Sequence, residues 1–253
     1  YKDYIIHKEV KSRSAKVVET MRSQSFNRTI KEHRKKLKQL ELSDDYSHQH
    51  TIQLKLPVIL PHGEKLPYPL LVFRPKSIEP PYPTVLFIPG TAFVGREKAY
   101  TEHICLDFIK SGCQVIVVPH RLAPENPFPA GLQDSYNVIK AILKTNHPLL
   151  KIDTNRISLS GYSSGGNFAV SIAIKFRKHF KHLTLFSPML DCSDQVLKEF
   201  NNNDTAIIPD FIRWALQHYR PTQGDLTNFK NPLLSPVYYS LKKLGKLPPT
   251  TII

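Results

Sequence analysis

The sequence lacks the marks of several protein classes. It has only three cysteines, with no CxxC motif and no Cys/His cluster, which argues against a disulfide scaffold and a zinc site and predicts free thiols. No stretch approaches about 18 uninterrupted apolar residues, so no transmembrane helix is predicted. Apolar residues still make up 41% of the 253 residues, which predicts a buried core and argues against wholesale disorder.

Acidic residues are also scarce, since 21 Asp and Glu stand against 35 Lys and Arg and leave a net charge of +14. Residues 1–40 hold 12 of the basic and 4 of the acidic residues, a surplus of +8, and contain no glycine or proline. Their apolar residues recur at spacings typical of amphipathic helices. We interpret this segment as a solvated helical face, with contact to an anionic membrane or an acidic partner as the alternative. No recognised nucleic-acid-binding motif is present, so nucleic acid is not an expected partner.

From residue 50 onward, short apolar runs alternate with helical patterns. Such alternation predicts βαβ units, and therefore an α/β fold with a mostly parallel sheet and helices on both faces. The strand-like runs lie at 51–56, 69–73, 84–88, 114–118, 157–160, 183–186 and 249–253, and the helical patterns lie at about 99–111, 131–146, 165–179 and 211–219.

The motif GYSSGG at 161–166 is the first feature that carries chemistry. It contains G-x-S-x-G, formed by Gly161, Ser163 and Gly165, between an apolar strand and a helical pattern. This is the context of a nucleophile elbow, in which a tight turn between small residues lifts a serine hydroxyl above the sheet edge. Ser163 is therefore the candidate nucleophile, and the N–H of Ser164 is a candidate donor to an oxyanion near the helix N-terminus. The alternative is a glycine-rich turn with an idle serine.

A second feature, PGTAFV at 89–94, directly follows the strand-like run TVLFI. A loop that leaves an early strand of such a sheet is where a second oxyanion donor comes from. Gly90 permits a tight turn and Ala92 is small enough for close approach, so the backbone N–H groups of Gly90, Thr91 and Ala92 are candidate donors. The alternative is an ordinary strand-to-helix loop.

The third feature is HRLAPENPFPAGLQDSY at 120–136, which resembles a known family. Eight of the nine residues from Arg121 to Pro129 match the sequence YRLAPEHPFPAALED of the hormone-sensitive-lipase family of α/β-hydrolases, with Asn126 in place of a histidine. GYSSGGN resembles that family's GDSAGGN, and residues 231–253 resemble its nPl.SPl.a.l.gLPPtli stretch. The resemblance covers the chain from about residue 70 to its end.

The resemblance implies a serine hydrolase that cleaves carboxylic esters through an acyl-enzyme on Ser163, with a small-molecule or lipid ester as substrate and no cofactor or metal. It also implies an α/β-hydrolase core at 51–253 with a helical insert at about 195–220, and a basic helical cap formed by residues 1–50. No hydrolytic step needs the polar residues of the third feature. We expect those residues, Arg121, Glu125 and Asp134, to hold the loop that follows the strand at 114–118.

The candidate oxyanion loop departs from the family. The family's HGGGF sequence aligns with residues 89–93, so Thr91 and Ala92 stand where it has glycines. Backbone N–H groups at these two positions can serve as donors only if neither position needs a positive φ angle, which costs non-glycine residues energy.

The other departure concerns the catalytic partners of the serine. A serine hydrolase needs a histidine base and an acid, and on this fold the chain order is serine, acid, histidine. The resemblance places both partners after the strand at 249–253, so we expect them beyond Ile253. The alternative is an internal triad that uses Asp191 and His218.

Two further functions stay open. A non-catalytic small-molecule receptor on a hydrolase scaffold, like a plant hormone receptor that keeps the serine but lacks the histidine, would suit the altered oxyanion loop. A lipid esterase docked on an anionic membrane through residues 1–40 would use the basic segment, and salt would weaken its binding. The compartment stays open, with the cytoplasm favoured.

Overall fold

The computed structural model describes residues 29–39, 51–95, 98–145, 147–193, 209–220 and 229–253. Within these ranges the chain forms seven β-strands and six α-helices. The strands are β1 (Thr51–Leu56), β2 (Leu70–Pro75), β3 (Tyr82–Ile88), β4 (Gln114–Val117), β5 (Ile152–Tyr162), β6 (Leu183–Phe186) and β7 (Thr250–Ile252). The helices are α1 (Ile30–Gln39), α2 (Lys98–Lys110), α3 (Ala130–Thr145), α4 (Ser164–Phe176), α5 (Pro209–Tyr219) and α6 (Leu241–Leu244).

The strands form a sheet in the order β1-β2-β4-β3-β5-β6-β7. β1 pairs with β2, and β2 with β4, in the antiparallel sense, whereas β4, β3, β5, β6 and β7 run parallel to one another. The predicted α/β fold with a mostly parallel sheet is therefore confirmed. Because parallel strands share a carboxyl edge, the loops after β3, β4, β5 and β6 emerge on the same side of the sheet.

Alternate residues of the central strand β3 pack on opposite faces of the sheet. Leu86 and Ile88 belong to a large apolar core with side chains of α3 and α4, whereas Phe87 belongs to a smaller core with side chains of α2. All three are fully buried. A strand covered on both faces reads as a continuous apolar run, which is why the sequence predicts this strand well. The predicted helices on both faces are likewise confirmed.

The strand β5 is longer than the sequence predicts. It begins at Ile152, five residues before the predicted start at Ile157. Ile152 pairs with Tyr82, and the register then shifts before Ile157 pairs with Thr84. The intervening residues 153–156 are polar and mostly exposed, so they show no apolar alternation that would predict a strand.

Two helices fall in the segments that we expect to form a cap. α1 lies within residues 1–50, and α5 lies within the insert at about 195–220. The ring of His33 on α1 lies 5.4 Å from the ring of Phe211 and 5.2 Å from that of Trp214, both on α5. The two helices are therefore in contact. Most of both segments lies outside the described residues, so the boundaries of the cap stay a prediction.

Three further features can be stated for the described residues. None of their helices is long and apolar enough to cross a membrane. They contain no group of three or more His, Cys, Asp and Glu side chains that could hold a metal ion. All three cysteines are free, as predicted, and burial raises the pKa of the Cys192 thiol to about 12. At neutral pH this thiol is protonated and is a poor nucleophile.

A buried ion pair holds the loop that follows β4. The guanidinium of Arg121 donates to both oxygens of the Asp134 carboxylate at 2.9 Å, and the backbone N–H of Arg121 donates to one of them at 2.9 Å. Asp134 lies on α3 and has no exposed surface. Of the three residues predicted to hold this loop, Arg121 and Asp134 do so, whereas Glu125 joins the loop to Arg34 of α1.

We expect Asp134→Ala to lower the free energy of unfolding by about 3 kcal/mol, the lower end of the cost of breaking a buried ion pair, because the largely buried Arg121 cation keeps only the more exposed Glu64 carboxylate at 3.1 Å. The matched control is Asp210→Ala, which removes an exposed pair with Arg213 on α5 and should cost less than about 1 kcal/mol. Chemical denaturation measures both losses. Equal losses in the two variants would contradict the structural role of Asp134.

Candidate active site

Ser163 occupies a strained turn between β5 and α4. Its backbone angles are φ 52° and ψ −118°, a region that costs a non-glycine residue about 1–3 kcal/mol. The end of β6 and the loop after it each hold this turn by a hydrogen bond. The N–H of Ser163 donates to the carbonyl of Phe186 at 2.9 Å, and the carbonyl of Ser163 accepts from the N–H of Met189 at 3.0 Å. The surrounding structure thus maintains a conformation that the residue would not adopt by itself.

The glycines on either side of Ser163 allow three backbone segments to approach closely. A Cβ atom on Gly165 would lie 2.1 Å from the carbonyl oxygen of Ile88, at the end of β3. A Cβ on Gly161 would lie 2.5 Å from the carbonyl oxygen of Gly165, across the turn itself. These distances are far below van der Waals contact, so neither position has room for a side chain. The close approach brings the end of β3 and its following loop against the start of α4.

The loop at 89–95 touches the residue after Ser163. The N–H of Thr91 donates to the hydroxyl oxygen of Ser164 at 2.8 Å, so this candidate oxyanion donor already has a partner. The N–H groups of Val94 and Gly95 donate to the carbonyl of Thr91 at 3.1 and 2.8 Å and close a tight turn. Within the described part of the chain, the backbone N–H groups of Ala92 and Ser164 donate no hydrogen bond.

This loop has positive φ angles without glycine. Ala92 has φ 45° and Phe93 has φ 65°. The condition that neither replaced glycine position needs a positive φ is therefore met at Thr91 but not at Ala92. As a condition for a donor it was too strict, because the positive φ costs alanine energy but does not remove its backbone N–H. Gly90 is needed for a different reason, because a Cβ there would lie 2.9 Å from the carbonyl oxygen of Tyr162.

Residues 161–166 thus form a strand–turn–helix with a serine in a strained conformation, and the loop at 89–95 lies against it. A profile of the family described as alpha/beta hydrolase fold matches residues 85–253, more than half of the chain. The chain belongs to this α/β-hydrolase family. The resemblance to the hormone-sensitive-lipase family is confirmed by this match.

The α/β-hydrolase chain is similar to proteins named as esterases. It is 29% identical over 146 residues to an arylesterase of Saccharolobus solfataricus, covering 56% of this chain and 46% of that protein. It is 34% identical over 117 residues to carboxylesterase NlhH of Mycobacterium tuberculosis, covering 41% of this chain and 35% of that protein. A fungal esterase structure from Rhizomucor miehei has a TM-score of 0.78 at 20% identity, covering 94% of this chain and 75% of the other.

These comparisons differ in what they show. At 20% identity the structural likeness shows the fold alone. The chain spans less than half the length of the curated relatives named here.

In the described part of the α/β-hydrolase structure, neither residue of the alternative triad forms a hydrogen bond with Ser163. The Asp191 carboxylate accepts from the N–H of Ser193 at 2.7 Å and from the hydroxyl of Tyr238 at 3.3 Å. The Nδ1 atom of His218 lies 2.8 Å from the carbonyl oxygen of Trp214, within the same helix. Among the described residues, no hydrogen bond joins the Ser163 hydroxyl to a histidine.

Asn167 is a structural residue of the site that the sequence analysis did not single out. Its side-chain amide donates to the carbonyls of Met189 at 2.8 Å and Leu234 at 2.9 Å, and the residue is fully buried. It therefore ties the first turn of α4 to the loop after β6, which itself holds Ser163. The available signal was its place in GYSSGGN, where the resemblance extends one residue beyond the elbow.

We expect Gly165→Ala to destabilise the protein by about 1–3 kcal/mol and to displace the loop at 89–95, because the added methyl group clashes with backbone atoms that cannot rotate away. Gly245→Ala is the matched control. It lies in an α-helical conformation, and its added Cβ would meet its nearest atom, the carbonyl oxygen of Leu241, at 3.3 Å. Chemical denaturation compares the two. A Gly165→Ala variant as stable as Gly245→Ala would contradict the tight packing of the turn.

Proposed function

We propose that the protein hydrolyses carboxylic esters through an acyl-enzyme formed on Ser163. The observation that carries this proposal is the conformation of Ser163, a strained residue at the carboxyl edge of a parallel sheet, between glycine contacts that leave no room for side chains. Strain at a single residue that the surroundings hold from both sides is typical of functional positions. The names of the related arylesterase and carboxylesterase support the ester as the substrate class.

The proposed reaction has two steps. The Ser163 oxygen attacks the ester carbonyl carbon, the bond to the alcohol oxygen breaks, and the acyl group stays on the serine. Water then attacks the acyl-serine ester and releases the acid. In both steps a histidine takes the proton of the attacking hydroxyl and returns it to the leaving oxygen.

The proposed oxyanion donors are the N–H groups of Ser164 and Ala92. Both carry hydrogens that no described acceptor uses, and the two segments touch through the bond from Thr91 to Ser164. Removal of one such donor in a serine hydrolase costs about 100- to 1,000-fold in kcat. Thr91 is the weaker candidate because its N–H is already donated to a side chain. A small-molecule ester fits this site chemistry, and a lipid ester is the other candidate.

We expect the natural protein to gain one fluorophosphonate adduct and to hydrolyse a short acyl ester, and Ser163→Ala to lose both. The adduct forms because an activated serine oxygen attacks the phosphorus as it would attack an ester carbonyl carbon, so that an O–P bond forms and the P–F bond breaks to release fluoride. Intact mass spectrometry measures the adduct, and ester turnover is measured in parallel. Ser111→Ala, an exposed serine at the end of α2, is the control and should keep both. An unchanged adduct in Ser163→Ala would overturn the assignment of the nucleophile.

A receptor function is the second candidate, and the oxyanion loop is the observation that favours it. One candidate donor is bonded to the Ser164 hydroxyl, and another sits at a positive φ without glycine. A protein that takes no fluorophosphonate adduct and turns over no ester, yet binds an ester-like small molecule saturably, would favour the receptor.

Membrane docking is a further candidate, because α1 exposes Lys31 and Lys35 in the basic segment at residues 1–40. We expect the protein to sediment with vesicles that contain phosphatidylserine at low salt, and to be released as salt screens the attraction. Vesicles of phosphatidylcholine alone are the control. Vesicle binding that changes neither with the salt concentration nor with the lipid charge would count against docking through this segment.

A further inference from the structure

Arg34 on α1 connects the cap helix to two loops of the core. Its Nε donates to the carbonyl of Val94 at 2.8 Å, in the loop at 89–95. Its Nη2 donates to the carbonyl of Ala123 at 2.9 Å, in the loop after β4. The guanidinium also forms a two-pronged pair with the Glu125 carboxylate, at 2.8 and 2.9 Å. These contacts join residues that lie 60 to 91 positions apart in the chain.

The Val94 carbonyl belongs to the turn that positions the candidate oxyanion donor. The N–H of Val94 closes the turn on Thr91, and Ala92 lies between them. Ala92 and Phe93 both have positive φ angles, so this turn is not the conformation that the loop would prefer by itself. Contacts from outside the loop must therefore hold it.

Several outside contacts do so, in addition to the bond from the Thr91 N–H to the Ser164 hydroxyl and the packing of the Phe93 ring on Phe168. Arg34 donates to the Val94 carbonyl, and the N–H of Ala123 donates to the Phe93 carbonyl at 2.9 Å. The ring of Phe93 stacks on the ring of Tyr219 on α5, with centroids 3.7 Å apart and planes 5° from parallel. Two of these contacts thus come from α1 and α5, which also touch each other.

The chemistry of this contact requires arginine. The planar guanidinium presents several N–H groups in a fixed fork, whereas a lysine ammonium is a single compact charge. Arg34 uses the fork to meet two backbone carbonyls of buried residues and a carboxylate at the same time. The Arg34 hydrogen bond also lowers the pKa of the Glu125 carboxyl, so the carboxylate is charged at neutral pH.

We propose that Arg34 is a positioning residue for the oxyanion loop, which through the Val94 carbonyl couples the docking of α1 to the placement of the Ala92 N–H beside Ser163. This inference rests on the proposed ester hydrolysis. It assigns to the basic segment a role in the chemistry of the site, separate from any contact with a membrane.

The first test separates kcat from KM for a short acyl ester in Arg34→Gln. We expect kcat to fall about 10- to 100-fold with KM changed less than about twofold. The variant displaces the Ala92 N–H, a hydrogen-bond donor that binds the transition state and not the ground-state ester. Lys35→Gln is the matched control, since it removes the same charge from an exposed neighbour on α1 and should keep kcat. A raised KM at unchanged kcat would assign Arg34 to the cap alone and overturn the proposal.

Two further variants locate the contact that matters. Glu125→Gln weakens the ion pair but leaves the bond from Arg34 to Val94, so we expect it to retain most of kcat. Arg34→Lys keeps the positive charge but lacks the planar fork of N–H groups, so we expect its kcat to stay well below that of the natural protein. Full activity in Arg34→Lys, or a loss in Glu125→Gln equal to that in Arg34→Gln, would show that charge pairing and not the Val94 carbonyl is responsible.

The second test does not depend on activity. The N–H groups of Val94 and Gly95 are hydrogen bonded in the turn, so their exchange with deuterium reports its opening. We expect exchange in the peptide at 89–95 to speed up at least about tenfold in Arg34→Gln and not in Lys35→Gln, with β3 unchanged as the check on folding. A natural protein without esterase activity would overturn the proposed function, yet this exchange would still decide the coupling. Unchanged exchange in Arg34→Gln would overturn the coupling.

Discussion

The hydrogen bonds that hold the backbone of Ser163 in its strained turn determine the arrangement of the rest of the site. The N–H of Ser163 bonds to the last residue of β6 and its carbonyl bonds to the loop that follows, so the turn forms only when β5 and β6 lie side by side. The glycines around it set the distance between α4 and the end of β3, because a methyl group at Gly165 would meet the Ile88 carbonyl oxygen at 2.1 Å. The parallel sheet therefore places the end of β3, the turn at Ser163 and the loop after β6 at one edge. The glycines lack side chains, so these backbone segments can touch.

The loop at 89–95 is strained at Ala92 and Phe93, two positions that are not glycine. Glycine adopts positive φ at little steric cost, but it loses more chain entropy on folding than alanine does. Replacing glycine by alanine at a position that needs a positive φ removes part of that entropy cost and adds steric strain, which is the larger effect. The loop therefore depends on its neighbours more than a glycine loop would. The contacts of Arg34 and Tyr219 supply such neighbours from the cap helices.

The sequence predicts the fold and the turn at Ser163 because both have local signals. Fully buried strands such as β3 read as apolar runs, and a small–serine–small pattern between a strand and a helix identifies the turn. The polar start of β5 has no such signal, because its residues 153–156 face solvent and pair irregularly. The positive φ angle at Phe93 also lacks a signal, and the one at Ala92 is indicated only by the glycine that the resembled family has there, since neither residue type favours it.

The contacts of Arg34 lie beyond sequence reasoning for another reason. A single arginine in a segment rich in lysine and arginine looks like part of a solvated face, and only the folded chain shows that it lies against residues 60 to 91 positions away. The charge surplus of residues 1–40 therefore does not describe a uniform surface. Arg34 turns towards the core, whereas Lys31 and Lys35 remain exposed, and the same short helix presents both environments.

Coupling between the cap and the loop acts in both directions. If a docked α1 stabilises the turn that carries the Ala92 N–H, then anything that favours this turn also favours the docked helix, by thermodynamic linkage. A tetrahedral oxyanion bound to that N–H favours the turn more than a neutral ester does, because the charged hydrogen bond is the stronger one. Under the proposed mechanism, the cap would therefore be bound most firmly at the charged intermediate. In such an arrangement, the free energy that stabilises the strained loop comes from helix packing at a distance from the reacting atoms. The Ser163 hydroxyl and the proposed N–H donors then do not have to hold the loop in place.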